Sequence, residues 1–210
     1  MKKFYTIVLI ILVLFVSKQV FPQKENSKGS ISDEQQIDLS EGFSFISSRL
    51  IPEDPNMLVV MASVLNENLD FIRNSQGQTI KKIGPNWVNG IGDWVVTEGY
   101  LVKMFAADSF TIEGTLVDPT NPIPVEAGFQ FVSYFPVAPM DALIAFGSII
   151  GDDLHFIRNS EGAMIRKIGP NWINGIGDAN PGEGYLVKMF ADGEIVYPIT
   201  AKSSNKKNKP

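Results

Sequence analysis

The chain has 210 residues, 44% of them hydrophobic, and a formal net charge of −5, which gives room for one ordinary domain or two small ones with a proper core. It contains no cysteine, so disulfides, thiolate metal sites and a lipid anchor on an N-terminal Cys are excluded. The acidic balance, with no basic stripe to offset it, argues against nucleic acid as a partner, because phosphate backbones would be repelled.

Lys2 and Lys3 precede the apolar run from Phe4 to Val16, the n-region and h-region order of a secretory signal peptide. Thirteen residues at about 1.5 Å each fall well short of a bilayer core of roughly 30 Å. A signal peptide over residues 1–23 is therefore expected, with no transmembrane span in the mature chain. Cleavage after Gln23 removes Lys2, Lys3 and Lys18 and takes the net charge from −5 to −8. Residues 24–36 (KENSKGSISDEQQ) read as a flexible polar segment with little to bury.

A repeat follows. Leu69 to Ala106 aligns without a gap on Leu154 to Ala191, with 28 of 38 positions identical. Upstream, the copies share only Gly-Phe-x-Phe-[Ile/Val]-Ser, beginning at Gly42 and Gly128, and a general apolar character. The period of about 85 residues is too long for common solenoids. Two duplicated modules are expected, over residues 37–118 and 125–200. Residues 119–124 read as a stiff Pro-rich connector and 201–210 as a polar basic tail or a truncated linker.

Within each module the alternation around Phe43, Phe45 and Ser47, and around Phe129 and Phe131, predicts a first strand with one buried face. Asp54-Pro55 supplies an N-cap and a proline at N1, and Met57, Val60, Met61, Val64 and Leu65 recur at helical spacing. Ala142, Ala145, Phe146, Ile149 and Ile150 match them in the second copy, with Gly151 placed to end the helix. Asn74-Ser75-Gln76-Gly77 predicts a tight turn, and Asn89-Gly90 and Asn174-Gly175 predict hairpins. Glu98 to Met104 and Phe110 to Val117 complete an antiparallel meander. The expected class is mainly β (α+β): two tandem homologous modules, each a β-meander with one amphipathic helix.

The text Gly-Phe-x-x-[Ile/Val]-Ser near the start and Glu-Gly-Tyr-Leu-Val-Lys near the end resembles the "GWNLIS … GYWVK" repeats of secreted Bacteroidota proteins, often found upstream of type IX secretion sorting domains. The resemblance covers about residues 38–200. It implies export from a Gram-negative bacterium, with extracellular or cell-surface display and the periplasm as the alternative, and it brings no catalytic site. The chain departs from that pattern in having Phe43 and Phe129 where Trp is common.

Few residues carry chemistry. His155 is the single histidine, and Asp70 stands in its place in the first copy, so an exposed strand residue is favoured over a general base. Asp178, Asn180 and Glu183 concentrate oxygen ligands in one turn and form a candidate calcium site, although turn chemistry alone explains Asp, Asn, Pro and Gly there. Otherwise no cofactor is expected. Asp93 with Glu98, and Asp178 with Glu183, are weak candidates for a glycosidase pair, since such a pair needs a fixed separation across the bond. Trp87, Trp94, Tyr100, Trp172 and Tyr185 are candidate ligand-binding aromatics, because flat rings in an exported domain stack on sugars. Core filling is the favoured reading of the repeated ones. Trp94 stands apart, since Ala179 replaces it in the second copy. Arg73, Arg158, Lys81, Arg166, Lys82 and Lys167 could clamp an anionic glycan, but read first as a solvated face.

The sequence thus points to a non-catalytic secreted or surface repeat module, a spacer or adhesion element whose partner is an extracellular glycan or surface protein. A carbohydrate-binding module with aromatic platforms is the alternative, an extracellular hydrolase a distant third. The two modules are candidates to pack on each other.

Overall fold

The computed structural model describes residues 32–199. The expected signal peptide, residues 24–31 of the polar segment and the tail over 201–210 lie outside the described residues. The first half runs β1 (Asp33–Leu39), β2 (Gly42–Ile46), β3 (Leu50–Ile51), a one-turn helix α1 (Met57–Val60) passing into a 3₁₀ turn (Ala62–Val64), then β4 (Leu69–Arg73), β5 (Thr79–Ile83), β6 (Asn86–Asn89), β7 (Tyr100–Met104) and β8 (Asp108–Leu116). The second half runs β9 (Ile123–Val125), β10 (Gly128–Ser133), β11 (Met140–Asp141), α2 (Ala142–Ala145) with its 3₁₀ turn (Gly147–Ile149), β12 (Leu154–Arg158), β13 (Met164–Ile168), β14 (Asn171–Asn174), β15 (Asp178–Ala179), β16 (Gly184–Met189) and β17 (Gly193–Ile195).

The fold is mainly β and antiparallel. Each half builds one five-stranded sheet, in the order β2-β7-β4-β5-β6 in the first and β10-β16-β12-β13-β14 in the second. Smaller sheets flank them: β8 lies between β1 and β3, β9 pairs with β17, and β11 pairs with β15. Two corrections to the expected boundaries follow. Residues 33–36, placed in a flexible segment, belong to β1, which pairs with β8 from Asp33↔Gly114 to Leu39↔Asp108 and buries Gln35, Ile37 and Leu39. Asp33, Glu34 and Gln36 are exposed, while Gln35 turns inward, where its side-chain oxygen accepts from the Ser48 hydroxyl at 2.9 Å. Likewise the connector contributes Ile123 and Pro124 to β9, with Ile123 fully buried.

The helices are shorter than the periodicity predicted. Asn56, not Asp54, caps α1, its side-chain oxygen accepting from the Leu58 N–H at 2.9 Å, while Asp54 accepts from the Asn56 N–H at 3.0 Å. Of the expected inward stripe, Met57, Met61 and Val64, and Ala142, Ala145, Phe146 and Ile149, are buried, while Val60, Leu65 and Ile150 are half-buried against the cores. Branched Val59 and Val60 and, in the second copy, Gly147 weaken helical propagation, so one α-turn closes into a 3₁₀ turn.

The turn at Asn74 to Gly77 forms as expected, with the Asn74 N–H donating to the Gln78 carbonyl at 3.1 Å. The Asn-Gly pairs do not turn the chain into a hairpin. Instead Gly84-Pro85 joins β5 to β6, with Ile83 opposite Asn86 and Gly84 at φ 60°, the place where a two-residue loop of type II′ takes glycine. Asn89 ends β6, its side-chain oxygen accepting from the N–H groups of Ile91 and Gly92 at 3.1 and 2.8 Å. Its neighbour Gly90 donates to the Thr79 carbonyl at 2.9 Å, and a Cβ there would sit 2.8 Å from that same oxygen. Glycine is demanded by close approach rather than by a turn.

One face of each large sheet is core. In the first, Ile46, Ile72, Ile80, Tyr100, Val102 and Met104 pack with Met57, Met61 and Trp94; in the second, Ile157, Ile165, Tyr185 and Val187 pack with Phe146, Tyr134 and Tyr197. The two halves meet through reciprocal bonds. The Ser47 N–H donates to the Gly182 carbonyl at 3.0 Å and the Ser133 N–H to the Thr97 carbonyl at 3.2 Å. The Phe45 N–H donates to Ser160 Oγ at 2.6 Å and the Phe131 N–H to Ser75 Oγ at 2.8 Å. Ser47 Oγ donates to the Glu183 carbonyl and Ser133 Oγ to that of Glu98. Equivalent residues exchange equivalent bonds, the signature of an isologous, two-fold contact.

Candidate functional site

The unusual surface is the face of each large sheet turned away from the core. Side chains alternate across a strand, and the register aligns the outward ones in a row. In the first sheet, β2 to β6 present Phe43, Lys103, Phe71, Lys81 and Val88 as successive neighbours. In the second, the row is Phe129, Lys188, Phe156, Arg166 and Ile173. Both read aromatic, cation, aromatic, cation, aliphatic. Phe43 and Phe129 are each 55% exposed, and Phe105 and Phe190 at the strand ends are 59% and 60% exposed.

The rings and cations touch within each row. Phe43 meets Phe71 edge to face at 6.4 Å, and Phe129 meets Phe156 at 6.2 Å. Lys103 Nζ sits 5.6 and 5.8 Å from the ring centroids of Phe43 and Phe105, and Lys188 Nζ lies 4.7 Å above Phe129. Such contacts contribute about 0.5–1 kcal/mol each at exposed sites. Across the junction Phe45 and Phe131 lie 5.1 Å apart, so aromatic contacts continue from one half to the other.

Beyond the like-for-like exchanges of Lys81 for Arg166 and Val88 for Ile173, the two faces differ in charge at one position. Asp70 holds Lys103 at 2.8 Å; its counterpart His155 stacks on Phe190 at 5.1 Å, leaving Lys188 beside rings instead of a carboxylate. His155, Phe156, Arg166, Lys167 and Phe190 line a groove of about 500 Å³. Lys167 is paired with Asp152 at 2.8 Å.

A second cavity, of about 480 Å³, lies at the junction between Gln36, Asp38 and Phe43 on one side and Ser160, Asn180 and Glu183 on the other. The opposite junction is smaller and holds Glu98 beside Gln76 and Phe131. Burial pushes the Glu98 carboxyl above its ordinary value of 4.5, against a hydrogen bond from Gln76 that lowers it. A carboxyl raised on folding favours the folded state below its unfolded value and loses that contribution as pH rises through the folded value. Glu98→Gln is therefore expected to raise Tm at neutral pH, with the gain vanishing below the ordinary carboxylate range. Thermal melts across pH check this; a gain that grows on acidification would contradict it.

The structure separates the ligand-binding aromatics expected from sequence. Tyr100 and Tyr185 are fully buried, and Trp94 is 4% exposed; a buried ring offers no face to a sugar, so these three are corrected to core residues. Trp94 packs against Tyr100 with ring centroids 4.7 Å apart and planes tilted by 38°. Where Ala179 replaces it, Tyr134 packs on Tyr185 at 6.4 Å and fills the second core. Trp87 and Trp172 are half-buried on the core side of β6 and β14, and the Trp87 indole donates to the Leu65 carbonyl at 3.0 Å.

The candidate calcium ligands are committed locally. The Glu183 carboxylate accepts from the Tyr185 hydroxyl, and the Asn180 amide donates to the Asp178 carbonyl at 3.2 Å. Among the described residues no three His, Asp or Glu side chains converge on one point. Of the basic residues, Lys81 and Arg166 fall in the rows above, and Arg73 and Arg158 in the next row, opposite Leu101 and Leu186.

The exposed phenylalanines were the residues missed. Their signal was present: Leu101, Lys103 and Phe105 share one parity, Tyr100, Val102 and Met104 the other, and the lysine marks which parity faces water. No protein-family model matches the chain, and neither a curated protein nor a solved structure matches it significantly.

Proposed function

We propose that the chain is a non-catalytic, exported interaction module, a rigid two-sheet body that serves as spacer and adhesion element outside the cell or at its surface. One observation carries this reading: the same exposed aromatic and cationic row occurs on both large sheets. Scattered apolar residues on a surface need no explanation, whereas contiguous rows mark contact sites. Folding gains little from phenylalanines more than half exposed, and both cores are complete without them. Export is supported by the n-region and h-region order over residues 1–23, and the tandem arrangement fits the resemblance to secreted Bacteroidota repeats.

The test is retention of the purified chain on immobilised extracellular matrix from a biofilm, beside the double variant Phe43→Ser with Phe129→Ser. Both positions are exposed, so the variant is expected to stay folded and melt only a few degrees below wild type, for the lost ring contacts, while retention falls about tenfold, as for loss of two aromatic anchors. Equal retention of the two proteins would end the reading. So would release of small sugars or peptides from the matrix, which would point to the hydrolase.

A further inference from the structure

We infer that the outer face of the second sheet is a binding track for an acidic polysaccharide, a polymer of sugars bearing carboxylate groups. The inference rests on the interaction-module reading and names the ligand class of its stronger face. Adjacent strands are 4.7–4.9 Å apart, so a row crossing five strands is about 19 Å long. That length suits several units of an extended polymer lying across the strands and exceeds what a single small anion would use.

The chemistry alternates along the row as such a polymer requires. A sugar ring offers an apolar C–H face that stacks on an aromatic ring, and a carboxylate at its edge that seeks a cation. Phe129 and Phe156 supply the rings, while Lys188 between them and Arg166 beyond supply the cations. Arg166 is exposed, and its planar guanidinium can grip a carboxylate through two parallel bonds. His155 and Phe190, stacked at 5.1 Å, wall one side of the groove.

Charge complementarity selects an acidic ligand. The chain as a whole is negative, yet this row holds two cations and no acid, and the one acid that lines the groove, Asp152, is paired with Lys167 at 2.8 Å. The first sheet differs through Asp70, whose carboxylate occupies Lys103 at 2.8 Å and would repel an incoming anion. A neutral glycan would not need the cations. A bilayer would be met by a continuous apolar patch, whereas Lys188 and Arg166 interrupt this row at every second strand.

Isothermal titration of the purified chain with polygalacturonate tests this, with laminarin as a neutral glucan and phosphatidylglycerol vesicles alongside. Polygalacturonate is expected to bind and to be released by high salt. Lys188→Ala with Arg166→Ala should weaken it about tenfold or more, as for loss of charge-assisted bonds. Asp70→His, which gives the first sheet the residue of the second and frees Lys103, should strengthen binding, a gain that a damaged fold cannot produce. Equal binding of laminarin and polygalacturonate, unaffected by the charge variants, would overturn the acidic class and leave the interaction module standing. Vesicle binding without polysaccharide binding would overturn the inference in favour of a membrane. Binding to none of the three probes, while matrix retention still depends on Phe43 and Phe129, would overturn it alone.

Discussion

Replacing Gly184 with alanine is expected to lower Tm by about 6–12 °C, the shift for about 3 kcal/mol in a chain of this size. A Cβ at Gly184 would lie 2.6 Å from the Ile46 carbonyl oxygen, 3.0 Å from its carbon and 3.2 Å from its nitrogen. These are backbone atoms of the opposite half, fixed by the bridge between Ile46 and Glu183, and they have no rotamer by which to yield. The strain would be relieved by opening the junction that Ser47, Gly182 and Ser160 close. Gly99, the counterpart, is also crowded, with Val132 O at 2.9 Å and the same Ile46 oxygen at 3.3 Å. Because both alanines press on one carbonyl, the double variant should lose less than the sum of the single losses. Calorimetry of the three variants checks this, and a Gly184→Ala protein melting within a degree or two of wild type would refute the close junction.

Tyr185→Ala should cost about 3–5 kcal/mol, the range for truncating a large buried aromatic side chain. The ring is fully buried against Phe146 at 5.2 Å and Tyr134 at 6.4 Å. Its hydroxyl accepts from the Asn180 N–H at 2.9 Å and donates to the Glu183 carboxylate. Burial, and then the neighbouring Glu183, hold that hydroxyl well above the ordinary tyrosine range, so it stays protonated and a donor. Tyr185→Phe keeps the ring but strands the Asn180 N–H, which should cost about 1–3 kcal/mol. Denaturant unfolding of the pair separates ring from hydroxyl. If Tyr185 were a ligand platform instead, both variants would unfold like wild type.

The architecture was legible where local chemistry decides it. Asn74 to Gly77, the alternation in Tyr100 to Met104 and the inward set Met57, Met61 and Val64 all follow from short-range rules. Trouble came where one residue type serves two purposes. Asn89-Gly90 has hairpin composition, yet Asn89 ends a strand and Gly90 makes room for Thr79, while the true turn sits at Gly84-Pro85. Periodicity also set the helix length too long, because an inward stripe of five positions can be satisfied by one α-turn and one 3₁₀ turn.

The candidate site was less legible because Trp94 stood apart as a ligand aromatic while Phe43 and Phe129 read only as strand residues with no part in a site. The sheet reverses this. Tyrosine can enter the core since its hydroxyl finds a backbone N–H, as Tyr100 does at Val95 at 2.7 Å, whereas the phenylalanines of β2 and β10 share the parity of Lys and Arg. Tertiary register, which no window of sequence contains, then brings Phe43 and Phe71 from strands two apart around a single lysine.

The reciprocal junction also bears on copy number. A head-to-tail contact uses two different surfaces and leaves one of each free, so a third repeat can always be added and arrays grow. Here each half spends the same surface on the other: Ser47 and Ser133, Ser75 and Ser160, Glu98 and Glu183 are all engaged within the pair. A further repeat of this kind would find no vacant counterpart for that contact. The arrangement is self-terminating at two, and lengthening such a protein would have to proceed by adding whole pairs rather than single units.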